Sequence, residues 1–293
     1  MKALKTHWQV LLVGLLVFGN LLVWYVVAHE TRHGILTVTY LDVGQGDATF
    51  IEGPTGIQVL IDGGKGKKVL SELGKVLPFY DKSIDVVIAT HPDQDHIEGL
   101  IGVEERYKTL VFIEPNLITD KPFQIALLET VRNRNVQGGG VKELSAWAGQ
   151  EIDLGLGATL TILFPDLDVS AWQDITNNAS VVAILRYGST SFLFTGDSPI
   201  AIENRLIKEY GSQLDVDVLK AGHHGSRTSS GPEYLAITSP TFAIISSGKD
   251  NSYGHPHKEV LDNLATVGAR VMRTDEQSTI TVKSDGEIIV LEE

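Results

Sequence analysis

The chain has 293 residues, 43% of them apolar, so it can bury a substantial core as one large domain or two smaller ones and is not a disordered chain. With 24 Lys+Arg against 37 Asp+Glu, its formal net charge of −13 disfavours tight nonspecific capture of nucleic acid by a basic face; chemistry on nucleic acid would need local help, such as metal ions. There is no Cys, which excludes disulfides and thiolate metal ligands.

Residues 8–28, WQVLLVGLLVFGNLLVWYVVA, carry no charge, and at 1.5 Å per residue they reach about 30 Å, the thickness of a bilayer core. This predicts one transmembrane helix, with Trp8 near one end, Trp24 and Tyr25 near the other, and Gln9 and Asn20 as polar exceptions. Lys2 and Lys5 precede it, so the positive-inside tendency puts the N-terminus in the cytoplasm and everything after Ala28 outside. A cleaved signal peptide ending at VVA is the competing reading, though the apolar run is long for one. The expected division is 1–33, anchor and connector, and 34–293, one further domain.

Beyond the connector HETRHG, β-branched runs bounded by Gly, Pro and Asp turns predict strands at 35–43, 48–53 and 57–64. A helix at 67–77, a strand at 85–90 and a helix at about 97–107 follow. The middle section holds TLVFIEP, a helix at 122–135, the turn QGGG and TLTILFP at 159–165. SVVAILRYG and TSFLFTGD then lead to a helix near 199–211, the strand DVDVLKAG and a last helix, HKEVLDNLATVG, opened by His257. A weak repeat runs through this order: each half reads strand, strand, acidic turn, helix, strand, then histidines. Such a duplication fits a sandwich of two βα halves whose loops meet at one edge.

Of nine histidines, His7, His29 and His33 lie in or beside the anchor, and the other six form three clusters at predicted strand ends: His91 and His96, His223 and His224, His255 and His257. HPDQDH adds Asp93 and Asp95 to the first cluster. Imidazole and carboxylate are the donors of borderline and hard divalent metals, and two adjacent ions need about six to eight of them. HHGS taken alone reads as well as a solvated turn; HPDQDH does not.

HPDQDH resembles the H-x-[HD]-x-D-H signature of the metallo-β-lactamase fold. LDVGQGDATF, LIDGG, NNASVV, FLFTGD, LKAGHHGS and YGHPH, in this order over about residues 35–291, are similar to the ComEC-like branch, the extracellular hydrolase domain of DNA-uptake proteins. The resemblance implies an α/β protein, an αβ/βα four-layer sandwich, with a centre of two divalent ions, Zn2+ or Mn2+. Carried over by position, His91 and Asp93 would serve one metal, Asp95 and His96 the other, and Asp197 would bridge them. His223 is the preferred further ligand, with His224 the alternative. Asp62 would orient a ligand histidine through its other ring nitrogen. Asp42 and Asp47 read equally well as residues that fix a Gly-rich turn.

Two departures stand out. Asp93 occupies a position where many members of the fold have His, which favours harder ions and lets manganese compete with zinc. No histidine lies between His96 and His223, where many of these hydrolases supply a further ligand; Asn177 or Asn178 stands in that region. Two metals about 3.5 to 4 Å apart activate water for in-line attack at phosphorus. Besides Asp95 and Asp197, the catalytic candidates are Lys220, Ser226, His255 and His257, to bind nonbridging oxygens or protonate the leaving oxygen; His257 reads equally well as a helix N-terminal residue. The expectation is a membrane-anchored, outward-facing phosphodiesterase, a nuclease tied to DNA uptake machinery, against two alternatives: a small or surface phosphodiester as substrate, or a noncatalytic binding module.

Overall fold

The computed structural model describes residues 2–30, 34–136, 138, 140–172 and 175–292. They fall into two compact units that divide after Gly34. The first is a single helix, α1 (Lys2–Glu30). Its window His7–Trp24, of mean hydropathy 1.6, is long and apolar enough by length and composition to cross a membrane. Asn20 is accommodated there because its side-chain amide donates to the Leu16 carbonyl at 3.0 Å, which keeps the polar group within the helix. The expected connector at 29–34 is helical through Glu30, and its residues 31–33 lie outside the described residues.

The second unit is built on two sheets. The first contains β1 (Leu36–Tyr40), β2 (Thr49–Glu52), β3 (Gln58–Ile61), β4 (Ser83–Ile88), β5 (Lys108–Glu114) and β6 (Lys142–Ser145). The second contains β7 (Glu151–Gly155), β8 (Ala158–Phe164), β9 (Val182–Tyr187), β10 (Thr190–Phe194), β11 (Val218–Lys220), β12 (Phe242–Ile245) and β13 (Arg270–Arg273). The chain then returns to the first sheet with β14 (Ile280–Ser284) and β15 (Ile289–Glu292), giving the order β15-β14-β1-β2-β3-β4-β5-β6. The expected repeat is present as register: β2 pairs antiparallel with β3 and β3 parallel with β4, while β9 pairs antiparallel with β10 and β10 parallel with β11.

Strand periodicity assigns the layers. Val59 and Ile61 of β3 and Ala183 and Leu185 of β9 meet in the core between the sheets, with Phe192 and Phe194 of β10. The alternate residues face outward onto helices. Leu60 packs with Val69 and Leu73 of α2 (Lys68–Val76), Leu100 and Val103 of α3 (Gln94–Arg106) and Leu127 and Val131 of α4 (Pro122–Val136). On the other sheet, Ile184 and Leu193 pack with Ile202 and Leu206 of α5 (Ile200–Tyr210), Tyr234 of α6 (Pro232–Thr238) and Leu264 of α7 (Lys258–Thr266). Short α8 (Thr274–Gln277) follows β13. The result is the expected four-layer αβ/βα sandwich, whose fully buried aromatics each hold about 3–5 kcal/mol against truncation to Ala.

One boundary matters for the site. The helix expected from 97 begins at Gln94, because the Asp93 carbonyl accepts the amides of His96 and Ile97, both at 3.0 Å. Asp95 and His96 therefore stand on the rigid first turn of α3, and His91 and Asp93 on the loop before it.

Candidate metal centre

The two parallel pairs, β3 with β4 and β10 with β11, bring their carboxyl ends to one edge of the sandwich. Asp62 follows β3, the HPDQDH loop follows β4, Asp197 follows β10 and the HHGS loop follows β11. Asp47, just before β2, joins them through its amide, which donates to the Asp95 carbonyl at 3.2 Å. The potential ligand atoms of His91, His96 and Asp197 lie within 4.8 Å of one another, as do those of Asp95, His96 and His224, and those of Asp47, Asp197 and His224.

Each buried imidazole is held by its Nδ1. His96 Nδ1 lies 2.8 Å from Asp62, His224 Nδ1 lies 3.1 Å from the Ser246 carbonyl, and His91 Nδ1 lies 3.1 Å from the Thr90 hydroxyl, which itself donates to Asp62. A carboxylate or carbonyl can only accept, so Nδ1 of His96 and His224 carries the proton; the Thr90 hydroxyl, its own proton given to Asp62, accepts in the same way. The Nε2 atoms of His91, His96 and His224, and Asp197 Oδ1, are buried with no hydrogen-bond partner among the described residues. Buried polar atoms without partners are costly, and these converge. Asp197 Oδ1 is 3.2 Å from His96 Nε2, and Asp197 Oδ2 is 3.5, 3.7 and 3.9 Å from Nε2 of His223, His224 and His91. Such a donor set fits divalent ions of the zinc or manganese kind.

Electrostatics point the same way. Burial alone would raise the Asp197 carboxyl, but His96 and His224 outweigh it and hold it well below the usual carboxylate range. The carboxylates in turn demand positive charge: burial lowers His224, yet Asp197 and Asp47 lift it to about 9, while His91, buried beside His96, is pushed down to about 4.

The structure differs from the sequence expectation at several positions. His224, not the preferred His223, enters the donor groups: both residues have left-handed backbone, φ 50° and 55°, and the turn sends His224 inward while His223 sits at the rim with its side chain 27% exposed. Asp93 belongs to none of the donor groups of described residues; its carboxylate bonds to Lys121 and Thr176. Lys220, at the end of β11, is buried in an ion pair with Asp47, just before β2 of the other sheet. Ser226 is buried, its hydroxyl taken by Thr228. His257 is the N-cap of α7 and braces the histidine loop, its amide donating to Gly225 O at 2.9 Å and its Nδ1 accepting from Arg227 N at 3.1 Å. His255 does stand by the cluster, its ring 5.7 Å from that of His223 and 6.3 Å from that of His224. Asn177 lies on the 3₁₀ turn Thr176–Ala179, half-buried. Asp47 is the residue whose place in the site its sequence surroundings left open, since GQGD reads equally as a turn.

Compared with known proteins, residues 41–249 match the metallo-beta-lactamase superfamily. The chain is 32% identical over 260 residues to ComE operon protein 3 of Bacillus subtilis, covering 83% of this chain and 32% of that protein. It is 31% identical over 242 residues to Recombination protein 2 of Haemophilus influenzae, covering 81% and 27%. The chain thus spans about a third of the length of these curated relatives. Among solved structures, CmlA from Streptomyces venezuelae, a diiron beta-hydroxylase, superposes with a TM-score of 0.54 at 16% identity over 85% of this chain and 54% of that one, a likeness of fold alone.

Proposed function

Because the chain belongs to the metallo-beta-lactamase superfamily, with similarity running to ComEC-type competence proteins, we propose that its second unit is a metal-dependent phosphodiesterase, a nuclease serving DNA uptake, held outside the membrane by α1. The observation that carries this reading is the convergence of three unpartnered imidazole Nε2 atoms on Asp197. Two divalent ions, Zn2+ or Mn2+, would supply the positive charge that a phosphodiester needs and would acidify water beside it.

The chain's own residues divide the remaining work. His91, His96, His224, Asp95 and Asp197 would hold the ions; Asp197 turns one oxygen toward His96 and the other toward His91 and His224. Asp62 and the Ser246 carbonyl fix the rings of His96 and His224. At the rim, burial lowers both His223 and His255, and the neighbouring histidines push His255 down further to about 4, which favours the neutral ring. In that form either is placed to accept a proton as a general base. Lys220 pairs with Asp47, which stands among the carboxylates of the centre.

The test is the full chain in detergent, stripped of metal and resupplied with manganese or zinc, assayed on single- and double-stranded DNA and on a bis-phosphodiester dye. Hydrolysis of DNA that Asp197→Ala abolishes is expected. Cleavage of the dye but of neither DNA would sink the nuclease claim in favour of a small phosphodiester, and full activity in Asp197→Ala would overturn the hydrolase reading.

A further inference from the structure

Asp93 occupies the N-cap position of α3, where an aspartate ordinarily accepts an amide of the first turn, yet it makes no such side-chain bond among the described residues. Its Oδ1 is taken instead by Lys121 Nζ at 2.5 Å and the Thr176 hydroxyl at 2.7 Å, and Lys121 Nζ also donates to that hydroxyl at 3.0 Å. The three groups come from separate pieces of chain: the loop after β4, the residue before α4, and the 3₁₀ turn Thr176–Ala179. The Lys121 and Asp93 side chains are 36% and 30% exposed, so the pair sits at the mouth of the centre, beside buried His91.

Resting on the metal-centre reading above, we propose that Lys121 sets the affinity of the first metal position by competing with a divalent ion for the Asp93 carboxylate. With Asp93 held by the ammonium, that position keeps His91 Nε2 and Asp197, fewer than the four ligands a zinc-like ion ordinarily takes. The second position has Asp95, His96 and His224 within reach of one another, with Asp197 beside them. The two positions are therefore unequal, and the second fills first. A half-exposed ion pair is weak enough for a metal to displace, so the lysine grades occupancy of the first position without closing it.

The geometry also makes the effect one of charge and place. Thr176 anchors both partners, so removing its hydroxyl loosens the ion pair without touching either charge. An arginine at 121 keeps the competing cation; a methionine keeps the stem and removes it.

The experiment is calorimetric titration of the metal-stripped full chain in detergent with manganese, with bound metal counted independently by mass spectrometry. Wild-type protein should show two classes of site at least about tenfold apart in affinity. Lys121→Met should tighten the weak class about tenfold and leave the tight class unchanged; Thr176→Val should tighten it less, Lys121→Arg should behave as wild type, and Asp93→Asn should lose the weak class. An unchanged or weakened weak class in both Lys121→Met and Thr176→Val overturns the proposal while leaving the metal centre standing. Failure of every variant and of the wild type to take up metal overturns both.

Discussion

Asp62 accepts Nδ1–H of His96 at 2.8 Å, and the same carboxylate receives the Thr90 amide at 2.8 Å and the Thr90 hydroxyl at 2.7 Å. One buried side chain thereby fixes the first turn of α3 against the end of β4. Asp62→Asn would set an amide N–H against one of these donors. It should weaken metal binding about 10–100-fold, as loss of a ligand's supporting group does, and titration against a competing chelator measures this.

The adjacent histidines of the HHGS loop should separate cleanly. His224→Ala removes a buried donor and should cost the protein an ion under dialysis; His223→Ala should keep the full metal content and lose roughly 10²-fold or more in turnover, as loss of a proton-transfer group does. Metal content equal in both variants, with equal activity, would contradict the assignment.

Metal uptake should expel protons. Burial lowers His224, but Asp197 and Asp47 lift it to about 9, and Asp197 with Asp62 lifts His96 well above its ordinary range in the same way. Below about 6.5 the charged His224 contributes its full stabilisation to the metal-free fold, and that contribution is lost as pH rises through about 9. At neutral pH both rings carry protons a metal must displace, so about two protons should leave per loaded centre and affinity should rise with pH. Calorimetry in buffers of different ionisation enthalpy counts them; a count of zero would refute the assigned protonation.

Gly46 is required by a close approach. A Cβ there would stand 2.1 Å from the Asp95 carbonyl oxygen, and its φ of +131° disfavours any side chain. Gly46→Ala should destabilise by at least about 1–3 kcal/mol and displace α3 from Asp47, read as a lowered melting temperature together with weakened metal binding.

The proposed orientation of α1 is checked on intact cells. Protease added outside should remove residues 34–293; protection of that segment would place the second unit on the other side.

Features set by short-range pattern were legible in the sequence. The strand-strand-helix-strand repeat, the clustered histidines and the family motifs depend on neighbours in the chain, and the sheet registers agree with the repeat. What was not legible depends on which distant groups meet. Nothing in GQGD or VLKAG says that Asp47 and Lys220 pair across two sheets, and nothing in HPDQDH says that Asp93 turns to Lys121. The choice of His224 over His223 hangs on two consecutive left-handed residues without glycine, a strained turn that local preference argues against. The start of α3 could have been read, since Asp93 is a common N-cap residue.

The return of β14 and β15 to the first sheet also bears on how the centre comes into being. β1 is flanked by β2 on one side and β14 on the other, with Thr39 and Thr281, 242 residues apart, facing each other across that seam. Until β14 arrives, β1 is a raw edge whose amides and carbonyls invite pairing with other chains. A chain emerging N-terminus first would therefore present its HPDQDH loop long before the sheet beneath it could close. Late closure of that seam, and not assembly of the histidines, is then the step at which a stalled or truncated molecule would be lost to aggregation.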